Sequence, residues 1–239
     1  MNTPMPSDEF YDISFEAARG LLTWYPWVGP NYRNLPQAER ILIVGESHYL
    51  GKDDPDGVEA DLRGHHGDPT VTREAVKHGL LSTHWKIATY SNLRKLLSPS
   101  GPEGARALLE GACYYNFIQR VLESKTRRPA EDDFENGWRA FLVLLEILQP
   151  GHCLFLGVGA SNTFNKVMRE RSVSFSNVAR PGKVGRTWGR RATIETGGRE
   201  LPVHFIKHPA KYFSPALWRI HLETHAPALP LNRATPTIP

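Results

Sequence analysis

The stretch that most constrains the fold runs from Ile41 to Tyr49. Ile41, Leu42, Ile43 and Val44 are four branched apolar residues in succession, preceded by the polar Gln37, Glu39 and Arg40. A run of this kind reads as a strand buried on both faces, as found inside a parallel sheet. Gly45 ends the run and lets the backbone turn sharply. Glu46, Ser47, His48 and Tyr49 then present a carboxylate, a hydroxyl, an imidazole and a phenol in succession. Ligands of open α/β sheets bind beyond the carboxyl ends of the strands, so this polar run is a candidate site. The plainer reading makes Glu46 a helix cap and the remainder a loop.

Three further apolar runs have the same character, over residues 112–118, 153–156 and 202–206. Helical patterning separates them. Helices are expected over Phe15–Leu22, Thr70–Leu81, His84–Leu97 and Glu103–Glu110, over Asp132–Leu148, after Ser161, and over Ser214–His225. Trp85, Ala88, Leu93, Leu96 and Leu97 share one face of the third of these. Trp138, Phe141, Leu142, Leu145 and Leu148 form the core stripe of the longest. Ser214 is placed to cap the last helix, with Pro215 at its first position. Strands alternating with helices predict an α/β protein, a three-layer α/β/α sandwich around a central, mostly parallel four-stranded sheet. A chain of 239 residues suits one such domain, expected over residues 13–225 between a flexible arm (1–12) and a Pro-rich tail (226–239). The aromatics from Trp24 to Tyr32 are expected either to bury against the sheet or to rim a pocket.

Composition narrows the function classes. Lys and Arg number 29 against 25 Asp and Glu, a balance that permits a nucleic-acid partner without demanding one. Cys113 and Cys153 lie in apolar runs and read as small buried hydrophobes; a disulfide framework or zinc knuckle is not expected. No cofactor is predicted. No apolar run approaches the roughly 18 residues of a membrane helix, so a soluble, cytoplasmic monomer is expected. Residues 51–63 look superficially like a calcium loop, but Lys52 and Arg63 occupy its first and last ligand positions and exclude it. His65 and His66 are adjacent and point apart in regular structure, which disfavours a paired metal site. Gly157 and Gly159 carry the start of a dinucleotide fingerprint, but Asn162 stands at its third glycine, and tight strand-to-helix packing explains the pair better.

A basic segment carries Arg180, Lys183, Arg186, Arg190, Arg191 and Arg199 against Glu195, with Trp188 among them. It reads either as a solvated hairpin or as a phosphate-contacting surface with a stacking aromatic.

Two more polar groups fall at strand ends: Asn116 in the second run and His208 just after the fourth. An amide donates and accepts side by side and so suits the edge of a base. A histidine can stabilise a departing anion, and a carboxylate can steer water or a developing cation. With Gly45, Glu46, Ser47, His48 and Tyr49 after the first strand, Asn116 at the end of the second and His208, Pro209 and Ala210 after the last, the chain resembles the uracil-DNA glycosylase superfamily over roughly Trp24 to Arg219. The resemblance implies a DNA partner and hydrolysis of the N-glycosidic bond of uracil or another damaged base by base flipping. It makes Glu46, Ser47 and His208 the catalytic positions and Gly45, His48, Tyr49 and Asn116 the substrate-binding ones. Arg186, Arg190, Arg191, Lys211 and Tyr212 become nucleic-acid contacts, with Tyr212 or Phe213 as a wedge. The chain departs from the family pattern in several places. Ser47 stands where the best-known branch has a catalytic aspartate, His48 replaces a proline, Ala210 and Lys211 replace Ser-Pro, and only two cysteines remain where one branch binds an iron–sulfur cluster through four. Two alternatives therefore stand beside it: an inactive nucleic-acid-binding module on the same fold, and an unrelated hydrolase using Glu46 and His48, with a metal borrowed from His65 or His66.

Overall fold

The Ile41–Gly45 segment is a strand, and its residues are buried throughout. A computed structural model of the chain describes residues 5–50, 64–82, 87–124 and 127–231. Residues 51–63, the stretch excluded above as a calcium loop, and Trp85 lie outside these residues. In chain order the strands are β1 (Trp27–Val28), β2 (Ile41–Gly45), β3 (His48–Tyr49), β4 (Ala112–Asn116), β5 (Val121–Leu122), β6 (His152–Leu156), β7 (Ala179–Val184), β8 (Thr187–Thr196) and β9 (Arg199–Ile206). The helices are α1 (Asp12–Ala17), α2 (Val71–Ala75, continued as a π-type turn to Leu81), α3 (Ala88–Leu97), α4 (Pro102–Glu110), α5 (Glu131–Leu148), α6 (Ser161–Glu170) and α7 (Pro215–His225).

The sheet has seven strands, where four were expected, in the order β1-β4-β2-β6-β9-β8-β7. The inner four are the four apolar runs, mutually parallel. The additional three are antiparallel: β1 at one edge, β8 and β7 at the other. None of the three shows a continuous apolar run. β1 is two residues long; β8 is interrupted by Gly, Arg and Thr, and β7, the edge strand, carries Arg180 and Lys183, whose charge discourages pairing with another sheet.

Alternation along the inner strands produces two cores. Leu42, Val44, Cys113, Tyr115, Cys153 and Phe155 pack on one face against Trp138 and Phe141 of α5 and Phe164 of α6. Ile41, Ile43, Tyr114, Leu154 and Leu156 pack on the other against α3, α4 and α7. Trp138 anchors the first core: Phe117 and Phe164 meet its ring edge-on at 4.9 and 5.1 Å, and its indole N–H donates to the Ala160 carbonyl at 3.1 Å. Leu93, Leu96 and Leu97 of α3 are buried as expected, whereas Ala88 is exposed. The first helix forms earlier than expected, at Asp12–Ala17; Phe15 within it and Leu22 beyond its end are both buried in the first core. Of the N-terminal arm, Met5 is buried and the Asp8 amide donates to the Val28 carbonyl at 2.8 Å. Of the tail, Leu229 and Leu231 are buried, and Arg219 donates to the Leu231 carbonyl at 3.3 Å. Among the described residues no helix is long and apolar enough to cross a membrane.

Candidate active site

Parallel pairing brings the C-terminal ends of β2, β4, β6 and β9 to one edge of the sheet. Gly45 stands opposite Asn116 in the ladder, so the polar run after β2 begins beside the amide that ends β4. The two chains then stay together. The Phe117 amide donates to the Gly45 carbonyl and the Ile118 amide to the Glu46 carbonyl, both at 2.9 Å. Beyond them His48 and Tyr49 pair in parallel with Val121 and Leu122 as a two-stranded ribbon, β3 with β5. This double track is what holds a loop of four polar side chains in one conformation.

Glu46, Ser47, His48, Tyr49, Asn116 and His208 all line one cavity of about 750 Å³. Further lining comes from Gly64 to Ala75 and from Ile87 to Tyr90, including His65, Asp68, Glu74 and Tyr90, and Tyr114 also lines it. The Tyr49 hydroxyl donates to Glu46 Oε2 at 3.3 Å. Ser47 Oγ is buried beside the Tyr49 phenol without a hydrogen bond of regular geometry. Tyr114, two residues before Asn116 and therefore on the same face, donates to Asn116 Oδ1 at 3.3 Å. That contact orients the amide, leaving its N–H₂ and one Oδ1 lone pair for a ligand. Gln119 donates to the Asn116 carbonyl at 2.6 Å and accepts from the Thr23 amide at 2.8 Å, fixing the backbone beneath.

His208 follows β9 by two residues. Its turn is held from α3, where Asn92 donates to the carbonyls of Pro209 and Ala210 at 3.0 and 3.1 Å. Burial holds the His208 pKa below that of free histidine; Arg128 acts in the same direction and Glu46 opposes them. The imidazole is therefore neutral at neutral pH, a hydrogen-bond donor without a charge. Burial likewise raises the phenols of Tyr49 and Tyr114, and pushes that of Tyr90 up to about 12, so all three keep their protons.

His48 has a different character from its neighbours. Its Nε2 lies 2.9 Å from Thr72 Oγ1, Trp24 meets its ring edge-on at 4.6 Å, and burial pushes its pKa down to about 3. It ties the site loop to α2 more than it faces the cavity. The same packing buries Trp24, Tyr25, Trp27 and Tyr32, so the aromatics of that segment go into the core.

The basic residues divide. Arg186 and Arg191 are exposed, as are Lys211 and Tyr212, the last at 83%. Arg190 turns inward instead, donating from Nη1 to Ser161 Oγ at 2.6 Å, to Asn162 Oδ1 at 2.5 Å and to the Val158 carbonyl at 3.3 Å. Its charge is committed to bracing the turn from β6 into α6, a role that contact with nucleic acid would have to disrupt. Arg190 pairs with Phe205 across the ladder, so the tip of the β7–β8 hairpin lies at the edge where β9 delivers His208. Trp188 on that hairpin is 43% exposed, with Lys183 Nζ 5.8 Å from its ring centre. Among the described residues no group of three or more His, Cys, Asp or Glu side chains is arranged to hold a metal ion.

Sequence reasoning missed Tyr114, Asn92, Tyr90 and Arg128. Tyr114 was within reach, since period-two alternation puts it on the face of Asn116. The others come from α3 and from the segment before α5, whose approach to the site is purely tertiary. Comparison with known proteins finds neither a family model that matches the chain nor a match among curated proteins.

Proposed function

We propose that the chain is a base-excising N-glycosidase of the uracil-DNA glycosylase type, acting on DNA. One observation carries the reading: a buried, oriented amide, a carboxylate and a neutral imidazole, delivered by three parallel strands, all line a single cavity. These are the groups that glycosidic cleavage needs. Asn116 reads the edge of a flipped base, its N–H₂ donating to a carbonyl and Oδ1 accepting from a ring N–H. The bond between C1′ and the base nitrogen breaks with its electron pair going to the base. His208, neutral, donates a hydrogen bond to the anion that forms. Glu46 faces the positive charge that develops on the sugar and accepts a proton from the water that attacks C1′; that proton ends on the departed base. Ser47 supplies no anion, which leaves Glu46 as the carboxylate of this loop. Tyr49 positions Glu46 through its hydroxyl. Arg186, Arg191, Lys211 and Tyr212, with Lys183 and Trp188, form the exposed surface that meets the strand.

The test is single-turnover incubation with labelled single- and double-stranded DNA containing uracil, hypoxanthine or mismatched thymine, followed by alkaline cleavage of abasic sites. Strand breaks that are reduced at least about 100-fold in His208→Ala and in Asn116→Ala, as loss of a transition-state donor entails, support the proposal. Salt-sensitive binding without breaks would instead support a non-catalytic binding module, the reading that Ser47 favours.

A further inference from the structure

Arg128 is the one lysine or arginine lining the cavity among the described residues, and it is solvent-exposed at the mouth. Its neighbours in the same segment are matched with acids. Arg120 grips Asp133 through two hydrogen bonds of 2.6 and 2.8 Å, and Arg127 lies 3.4 Å from Glu123. Arg128 makes neither an ion pair nor a hydrogen bond with any described residue, although Glu46, Asp68 and Glu74 line the same cavity. An arginine left unmatched beside a site that is otherwise acidic is a place for an external anion.

The position narrows the anion. Arg128 lines the same cavity as Glu46, its partner Tyr49, and His208, close enough for its charge to be felt by the last two. A nucleotide whose base enters toward Asn116 and whose C1′ lies at Glu46 must carry its phosphate outward, to the mouth. We infer that Arg128 is a phosphate-binding residue of the substrate site, pairing with the phosphate attached to the sugar of the everted nucleotide, so that the site takes nucleotides in preference to nucleosides. This rests on the glycosidase reading for the identity of the ligand. Phosphate contacts position a nucleic acid without reading its sequence, which is the task left over once Asn116 reads the base. The phosphate can belong to a free nucleotide or to a strand.

The experiment is equilibrium binding of three probes: 2′-fluoro-2′-deoxyuridine, whose glycosidic bond resists cleavage, its 5′-monophosphate, and a short single strand containing it. Wild type, Arg128→Gln and Arg128→Lys are compared across a salt series. Arg128→Gln is expected to weaken the phosphate-bearing probes about tenfold, to lower the salt slope for the strand by about one and to leave the nucleoside unchanged. Arg128→Lys keeps the charge and hence the slope, with partial affinity. A loss for monophosphate and strand alike assigns the nucleotide's own phosphate; a loss confined to the strand assigns its backbone. Equal affinity of wild type and Arg128→Gln for all three probes, an equal loss on the nucleoside, or no binding by any probe at low salt overturns the inference. Strand breaks in uracil-containing DNA are scored separately. A chain that cleaves but ignores Arg128→Gln retains the glycosidase reading and loses the phosphate site, and the converse result does the opposite.

Discussion

Replacing Gly45 by alanine is the sharpest probe of how the site is built. Gly45 ends β2 opposite Asn116, and a Cβ placed on it would fall inside the contact radii of both Asn116 Oδ1 and the Tyr114 hydroxyl. Neither neighbour can retreat freely: Asn116 is held in the β2–β4 ladder, and Tyr114 is buried in the core beside Leu93, Leu96 and Leu97. Forcing a methyl group into a packed interior costs about 1–3 kcal/mol. Breaking the Tyr114–Asn116 hydrogen bond adds about 1 kcal/mol. A total of about 2–4 kcal/mol lowers the melting temperature by about 5–15 °C for a chain of this size. The same displacement turns the Asn116 amide away from the base, so single-turnover cleavage falls by at least about tenfold while the protein is folded. Thermal denaturation and the strand-break assay read the two effects independently. A Gly45→Ala protein that melts like wild type would refute the packing argument, and one that melts lower but cleaves at the normal rate would show that the orientation of Asn116 is immaterial to the reaction.

Acid should destabilise the fold well above the carboxylate range. Burial pushes the pKa values of His48 and His204 down to about 3, and for His204 the neighbours His152, Arg191 and His221 add to the effect. Both are neutral when folded and become protonated near pH ~6.5 when unfolded, so their contribution is full above that pH and is lost as the pH falls. Two such groups remove about 5 kcal/mol between about pH 6.5 and 4.5. His204→Phe should halve that loss; a melting temperature flat across the window in wild type would contradict the burial of both rings. Charge reversal separates the two adjacent arginines of β8. Arg191→Glu, at an exposed site, should weaken DNA binding and flatten its salt dependence without moving the melting temperature. Arg190→Glu should lower stability by about 2–3 kcal/mol, since it removes the brace on Ser161 and Asn162 and sets a carboxylate against the Val158 carbonyl. Equal melting temperatures for the two variants would remove the structural role of Arg190.

The four inner strands were legible because burial on both faces demands uninterrupted apolar residues, and such runs are visible without knowing their partners. Helices α5 and α7 were legible for a related reason: the apolar stripe of α5 and the Ser214-Pro215 start of α7 mark them locally. The outer strands were not, because an antiparallel strand at the margin of a sheet needs only one apolar face, and the alternation in β8 is diluted by Arg, Gly and Thr. The segment 180–199 shows the same limit within the site. Its charge was plain, but which arginine faces solvent depends on the register with β9, and a shift of one residue would have exchanged Arg190 and Arg191.

By itself, then, the sequence determined that this is an α/β chain with a carboxylate, an amide and an imidazole at strand ends, since those facts depend on local pattern alone. Only the tertiary structure decided which of them share a cavity, that Tyr114 orients Asn116 and that His48 is turned to Thr72. It also left Arg128 at the mouth without an ion-pair or hydrogen-bond partner among the described residues. These are contacts between elements far apart in the chain, set by strand order and register, and no local pattern encodes them.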